Sequence, residues 1–355
     1  MNLEAYKLDT QTLFLQLRMA NLLVLCIVIL KLACSVLAAS TTSFKQGYGD
    51  SECPLGNDVY QNSCPEAESI IFSWVEKAVF QDPRMAASLL RLHFHDCFVN
   101  GCDASVLLDD TELFLGEKTA GPNLNSLRGF EVIDAIKSEL ELVCPEAVSC
   151  ADILAIAARD SVVLSGGPSW EVQTGRRDSL SASKQAANNN IPGPNSTVDV
   201  LIANFQNVGL SLRDMVALSG GHTIGKARCT TFSSRLQGSS SKSAHVNLDF
   251  ISSLQQLCSS GGRSTNNGNT VAHMDLVTPA TFDNQYYINL LSGEGLLPSD
   301  QVLVNGNNDQ TRQLVQTYAE DPYAFFEDFK NSMLRMGSIP GSPHGQIRRN
   351  CRTVN

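Results

Sequence analysis

The run Arg91-Leu-His93-Phe-His95-Asp96-Cys97-Phe-Val-Asn-Gly-Cys102-Asp103-Ala-Ser105 holds the residues most able to do chemistry. Apolar residues at three- and four-residue steps predict a helix over Ala86–Phe98. Such a helix sets Arg91 and His95 one turn apart on one face, beside Phe94 and Phe98, and turns His93 to nearly the opposite side. A strand would instead pair His93 with His95, as in H-x-H metal sites. The helical stripe favours a site made from Arg91 and His95 and leaves His93 structural. A neutral imidazole beside a permanent guanidinium charge suits heterolysis of an O–O bond. The imidazole carries a proton from the inner peroxide oxygen to the outer one, and the guanidinium stabilises the negative charge that develops. That chemistry needs a metal partner. In Asp214-Met-Val-Ala-Leu-Ser-Gly-Gly-His222-Thr-Ile-Gly225, a helical run ends in Gly220-Gly221, where a backbone without side chains leaves room for a large flat cofactor. A neutral His222 there is suited to ligating haem iron, with a carboxylate on its other nitrogen.

Helices must position these groups. Helical spacing recurs over Ile70–Phe80, Ala86–Phe98, Phe130–Val143, Cys150–Leu164, Val198–Val208, Leu212–Leu218, Phe282–Leu291 and Gln310–Met336. Strand-like alternation is scarce, with Trp170–Gly175 the best short run, so the expected class is mainly α with minor short strands. The Ser- and Asn-rich runs Ser239–Ser243 and Ser259–Thr270 read as surface loops. No internal repeat or separating linker is visible. A chain of 355 residues exceeds one small core, which predicts one two-lobed domain or two domains. With 43% hydrophobic and 17% charged residues it is not a disordered chain, and a net charge of −10 argues against nucleic acid as a partner.

Leu22–Leu30, followed by Leu-Ala-Cys-Ser-Val-Leu-Ala-Ala, reads as the apolar core of a secretory signal over residues 1–39, with cleavage near Ala38 or Ala39. The alternative is a retained signal anchor, against which Lys31 counts. Cleavage removes Cys26 and Cys34 from a total of 11 cysteines and leaves an odd number. No C-x-x-C pair occurs, so disulfides in an oxidising compartment fit better than a zinc or thioredoxin-type centre. Asn195-Ser-Thr197 is a glycosylation sequon beside the turn-forming Ile191-Pro-Gly-Pro194.

From about residue 59 onward the chain resembles the secreted plant (class III) haem peroxidases. The resemblance rests on collinear fragments: Asn62-Ser-Cys64-Pro, Arg91 to Ser105, Glu117-Lys118, Pro122-Asn123, Asn125-Ser-Leu-Arg-Gly-Phe130 and Val148-Ser-Cys-Ala-Asp-Ile-Leu154. It continues through Ala158-Arg-Asp160, Gly175-Arg-Arg-Asp178, Gly220-Gly-His-Thr223, Phe282-Asp-Asn284, Ser299-Asp-Gln301 and Arg348-Arg-Asn-Cys351. It implies a haem peroxidase fold, with two helical lobes sandwiching haem b. The domain would span 64–355, with a distal lobe over 64–190, a proximal lobe over 191–330 and a C-terminal segment returning to 355. Residues 40–63 depart from the usual mature start, and Cys53 has no partner in the family scheme. The ending implies no vacuolar extension, so the extracellular space or cell wall is expected.

By the same resemblance, His95 is the distal acid–base and Arg91 the transition-state stabiliser, with Asn123 accepting from His95 and Glu117 holding Asn123. His222 is the axial iron ligand, Asp300 its carboxylate partner, and Pro192 the residue whose carbonyl meets an aromatic donor. The resemblance implies two calcium sites. One uses Asp96, Asp103 and Ser105 with the carbonyls of Val99 and Gly101, and Glu117 through water; the other uses Thr223, Asp275, Thr278 and Asp283 with the carbonyl of Thr281. It also implies the disulfides Cys64–Cys144, Cys97–Cys102, Cys150–Cys351 and Cys229–Cys258. The activity implied is reduction of hydrogen peroxide with one-electron oxidation of small phenolic donors by a monomer free of the membrane. The rival readings are a catalytically silent wall protein of the same fold and a metal-dependent hydrolase using His93, His95 and Asp96.

Overall fold

The computed structural model describes residues 55–237, 247–260, 269–342 and 344–355. The signal sequence with its cleavage point, Cys53, the run Ser239–Ser243 and most of Ser259–Thr270 lie outside the described residues. Among the described residues are thirteen α-helices. The first four are α1 (Ala67–Gln81), α2 (Arg84–Cys97), α3 (Phe130–Val143) and α4 (Cys150–Leu164). Helix α4 is buried along nearly all its length, its Asp152, Asp160 and Ser161 included, and α1, α2 and α3 pack around it. The Ser149 hydroxyl caps it by accepting from Asp152 N at 3.1 Å. Its first backbone N–H groups, on Cys150 and Ala151, donate to the buried Asp178 carboxylate.

Beyond α5 (Lys184–Asn190), a second set comprises α6 (Val198–Asn207), α7 (Leu212–Ser219), α10 (Gln285–Leu291), α11 (Pro298–Asn305), α12 (Asp309–Glu320) and α13 (Pro322–Gly337). Helix α7 starts with a capping box between Ser211 and Asp214. The Asp214 carboxylate then ties α7 to α13 by accepting from Ser332 Oγ and Arg335 Nε, each at 2.7 Å. Between α7 and α10 lie the short α8 (Ser233–Gln237) and α9 (Leu248–Ser260), which share a small separate core of Phe232, Phe250, Ile251, Leu254 and Leu296.

Two sequence expectations need correcting. Trp170–Gly175 is not a strand; it contributes one isolated bridge, from Thr174 to Gly56. Among the described residues the strands are β1 (Lys226–Arg228) and β2 (Val271–His273), paired antiparallel with Ala227 opposite Ala272. The periodic run Gln310–Met336 is two helices rather than one. It breaks at Asp321, whose carboxylate accepts from Tyr323 N and Ala324 N, with Pro322 at the first position of α13.

The C-terminal residues return to the first set of helices. Asp178 and Gln346 form a bridge, Arg348 N donates to Asp178 Oδ2 at 2.8 Å, and Arg352 grips Asp134 of α3. Four disulfides join Cys64 to Cys144, Cys97 to Cys102, Cys150 to Cys351 and Cys229 to Cys258, the same pairs that the resemblance implies. Gly101 adopts φ +90°, and a Cβ there would sit 1.8 Å from the Pro340 carbonyl oxygen, so only glycine fits this contact.

Candidate active site

Helix α2 carries Arg91 and His95 on one face. Arg91 is held by the loop before α3: Nη1 donates to Ser126 Oγ at 3.1 Å and Nη2 to the Pro122 carbonyl at 2.9 Å. Burial, then the nearby Arg84 and Arg228, push its pKa down to about 10, so it keeps its charge at neutral pH. His95 Nδ1 lies 2.6 Å from Asn123 Oδ1. The Asn123 amide is oriented because its Nδ2 donates to the Glu117 carbonyl at 2.9 Å, so its oxygen must face His95. Nδ1 therefore carries the imidazole proton and Nε2 a lone pair. Burial and the Arg91 charge push the His95 pKa well below its ordinary value, keeping the ring neutral. Glu117 holds Asn123 through its backbone carbonyl.

His222 stands on the tight turn Gly220–Thr223 that ends α7. A Cβ at Gly220 would come within 2.4 Å of Tyr287 Oη and 2.5 Å of the Phe325 ring, so this turn needs glycine. The turn faces α2: a Cβ on Gly221 would lie 3.5 Å from Leu90 Cδ2, and one on Gly225 2.9 Å from Ala87 Cβ. His222 Nδ1 donates to Asp300 Oδ1 at 2.8 Å, which leaves the Nε2 lone pair directed away from the carboxylate. The His222 side chain is 43% exposed and that of Asp300 3%. Asp300 belongs to the first turn of α11 and also accepts from Leu297 N and from Tyr286 Oη. The donor set at this turn is one open imidazole with a buried carboxylate behind it. That suits a metal whose remaining ligands come from a macrocycle, and fits haem; a protein-held site would need further ligands.

His93 faces away from this site. It contacts Cys97 Sγ at 3.6 Å, and burial pushes its pKa down to about 3, with Arg176 adding to the shift. Asp96 turns to its own loop, accepting from Ala104 N at 2.9 Å and Val106 N at 3.4 Å. The three side chains that a hydrolytic metal would require therefore point in different directions, which removes that reading.

Several expected oxygen donors do converge. Asp96, Asp103, Ser105 and Glu117 are all fully buried. Asp103 Oδ2 and Glu117 Oε2 are buried without a hydrogen-bond partner, which a bound cation would remedy. Burial pushes the Asp103 pKa up to about 6 and that of Glu117 up to about 8, and raises Asp96, which also feels Asp103. Ser105 Oγ donates to the Val99 carbonyl at 3.4 Å, and Gly101 lies in the same loop. At the second cluster, Thr223 Oγ1 donates to Asp283 Oδ1 and Thr278 Oγ1 to Asp275 Oδ2, each at 3.1 Å. The Thr281 N–H donates to the Thr278 carbonyl, and the Met274 N–H reaches back to the Gly225 carbonyl. Pro192 is half-buried in the loop after α5, and the neighbouring Pro194 carbonyl accepts from Ser299 N beside Asp300. Ser126, the Pro122 carbonyl and Tyr286 are partners to which the sequence assigned no role. Ser126 and Pro122 fall inside runs already singled out, whereas nothing in the spacing of Tyr286 ties it to Asp300.

The sequence model of the family described as Peroxidase matches residues 71–321. The chain belongs to the peroxidase family. It is 68% identical over 300 residues to Peroxidase 40 of Arabidopsis thaliana, covering 84% of this chain and 85% of that protein. It is 54% identical over 310 residues to Peroxidase 4 of Vitis vinifera (86% and 94% covered) and 51% identical over 322 residues to Peroxidase 9 of Arabidopsis thaliana (87% and 92% covered). The chain is a peroxidase of the plant class III type with the mainly helical haem peroxidase fold, acting on hydrogen peroxide and reducing substrates.

Proposed function

We propose that this peroxidase takes hydrogen peroxide between Arg91, His95 and the turn of His222, and oxidises small phenolic donors one electron at a time. His95 Nε2 would accept a proton from one peroxide oxygen and return it to the other as that leaves as water. Arg91 places fixed positive charge where negative charge develops as the O–O bond lengthens, and its bonds to Ser126 and Pro122 hold it there without reorganisation. Asn123 fixes the tautomer that leaves Nε2 open, and the Glu117 carbonyl fixes Asn123. His222 Nε2 would hold haem iron, with Asp300 making the imidazole a stronger donor. Haem would supply the electrons that peroxide withdraws and donors later return. The two sets of helices would form the lobes on either side of it.

Asp96, Val99, Gly101, Asp103 and Ser105, with Glu117 through water, would hold one structural calcium. Thr223, Asp275, Thr278, Thr281 and Asp283 would hold a second and stiffen the turn of His222. The Pro192 carbonyl would meet the aromatic donor. Four disulfides support maturation in an oxidising compartment and so secretion, as does the apolar run Leu22–Leu30, with release as a monomer to the cell wall. Among the described residues no helix is long and apolar enough to cross a membrane. Asn195 is exposed, as a glycosylated asparagine must be.

One observation carries the reading: two imidazoles, each fixed at Nδ1 by a placed oxygen, on facing elements of the same site. The test is stopped-flow absorption of the haem-loaded protein mixed with peroxide and then a phenol. A Soret band that changes with peroxide and recovers in two one-electron steps is expected. A haem protein inert to peroxide would instead be the silent relative.

A further inference from the structure

Behind His222 a line of tyrosines leads out of the site. The Tyr286 ring meets the His222 imidazole edge-on at 6.2 Å, and its hydroxyl donates to Asp300 Oδ1 at 3.1 Å, the oxygen that also takes the His222 proton. Tyr286 packs on Tyr287 at 5.0 Å between centroids, and Tyr287 on Tyr318 at 5.1 Å. The Tyr318 hydroxyl donates to Asp328 Oδ2 at 2.6 Å. That same carboxylate oxygen accepts from Arg213 Nη1 at 2.8 Å, and the Arg213 side chain is 58% exposed. The line thus runs unbroken from the partner of His222 to an ion pair at the surface.

Packing alone does not call for these hydroxyls. Phe282, Phe325 and Phe329 fill the adjoining core by the same edge-on and stacked contacts without them. What tyrosine adds is redox chemistry. A phenol gives up an electron readily only when its proton can leave at the same time, so a redox-active tyrosine needs a base at its hydroxyl. Tyr286 and Tyr318, at the two ends, each have a carboxylate there. Tyr287, in the middle, donates to the Val216 carbonyl at 2.9 Å, a poor base, so it passes charge without retaining it. Burial raises all three phenols well above their ordinary range, so each keeps the proton it would have to give.

We propose that Tyr286, Tyr287 and Tyr318 form a one-electron relay from the His222 side of the haem to the Arg213–Asp328 surface, where phenol groups carried on polymers too large for the cleft are oxidised. The inference rests on the peroxidase reading, since hydrogen peroxide is the oxidant. Reduction of one peroxide to two waters leaves the site two electrons short. Tyr318 supplies one through Tyr287 and Tyr286 while its hydroxyl proton moves to Asp328. A phenol at the surface returns an electron to Tyr318, Asp328 returns the proton, and the donor loses its own proton to solvent as a neutral phenoxyl radical. A second donor closes the cycle.

The experiment mixes the haem-loaded enzyme with peroxide, freezes it within milliseconds and records its electron paramagnetic resonance. It compares the parent with Tyr318→Phe, which keeps the ring, and with Asp328→Asn. Turnover of guaiacol and of tyramine-grafted dextran is measured alongside. A tyrosyl signal in the parent that both variants weaken or alter is expected, with oxidation of the grafted dextran falling about tenfold and guaiacol turnover unchanged. A parent without tyrosyl signal, or variants that keep it and oxidise the polymer at the parent rate, would overturn the relay. A parent that oxidises no guaiacol would fail at the earlier step, the peroxidase reading, and take the relay with it.

Discussion

The two sides of the site solve one problem in two ways. His95 and His222 both give their Nδ1 proton to a placed oxygen and so present the same tautomer, with Nε2 open. The oxygen differs. Behind His95 it belongs to a neutral amide, oriented by the Glu117 carbonyl, in surroundings where burial and Arg91 disfavour a second proton. Behind His222 it belongs to a carboxylate that three donors hold in place. An amide leaves the imidazole a modest base that is empty when peroxide arrives; a carboxylate makes it a strong electron donor to a Lewis acid. On the proposed reading, the same side chain serves as a proton carrier or a metal ligand according to what stands one bond further out.

The largest way to break the contrast is to remove its proton carrier. His95→Ala should slow the reaction with peroxide by about 10²–10⁴-fold while haem absorption persists, measured by stopped flow. A parent-like rate would remove His95 from its role. Exchanging the two oxygens comes next. Asn123→Asp should favour the imidazolium, cut the peroxide rate by about 10–100-fold and move its acid limb to higher pH. Asp300→Asn should leave proton transfer intact and raise the ferric/ferrous potential, read by spectroelectrochemistry. If the two variants behave alike, the contrast is mistaken.

Smaller effects concern the scaffold on each side. Calcium at 100 times its Kd should stabilise the protein by about 2.7 kcal/mol over the chelated form in thermal unfolding. Asp103→Asn should abolish that dependence at the first cluster. Finally, His93 has its folded pKa lowered to about 3 against an unfolded value of 6.5. Its contribution is therefore present in full above pH 6.5 and is lost as pH falls from there toward 3. His93→Gln should flatten the acid limb of stability by about 1.4 kcal/mol per pH unit in that window; an unchanged slope would show that His93 takes no part in it.

The helices were legible because burial on one face leaves a periodic trace. Phe130–Val143 and Cys150–Leu164 run between the same residues in sequence and structure. The short β1–β2 pair left no trace, since three residues are too few for alternation and their partners are distant in the chain. Asp321-Pro322 was a readable stop signal that the surrounding periodicity overrode. At the site, residue types pointed to Arg91, His95 and His222, and only the resemblance supplied Asn123 and Asp300. The atom that steadies Asn123 is a main-chain carbonyl, which no residue type announces. Tyr286 was hidden for a related reason: its bond to Asp300 depends on how α10 and α11 meet, not on spacing.

The contact between Gly101 and Pro340 sets an order of assembly. The loop after His95 closes against Pro340, translated far later than the loop itself, and Asp178, which holds the start of α4, is completed only by Arg348. The Cys150–Cys351 bridge lies later still. The proposed site residues, through Asp300, are translated before the segment that locks them, so a chain stopped short of Pro340 would carry the whole set in unfinished form. Truncation before Arg348 should therefore be as damaging as truncation within the first third.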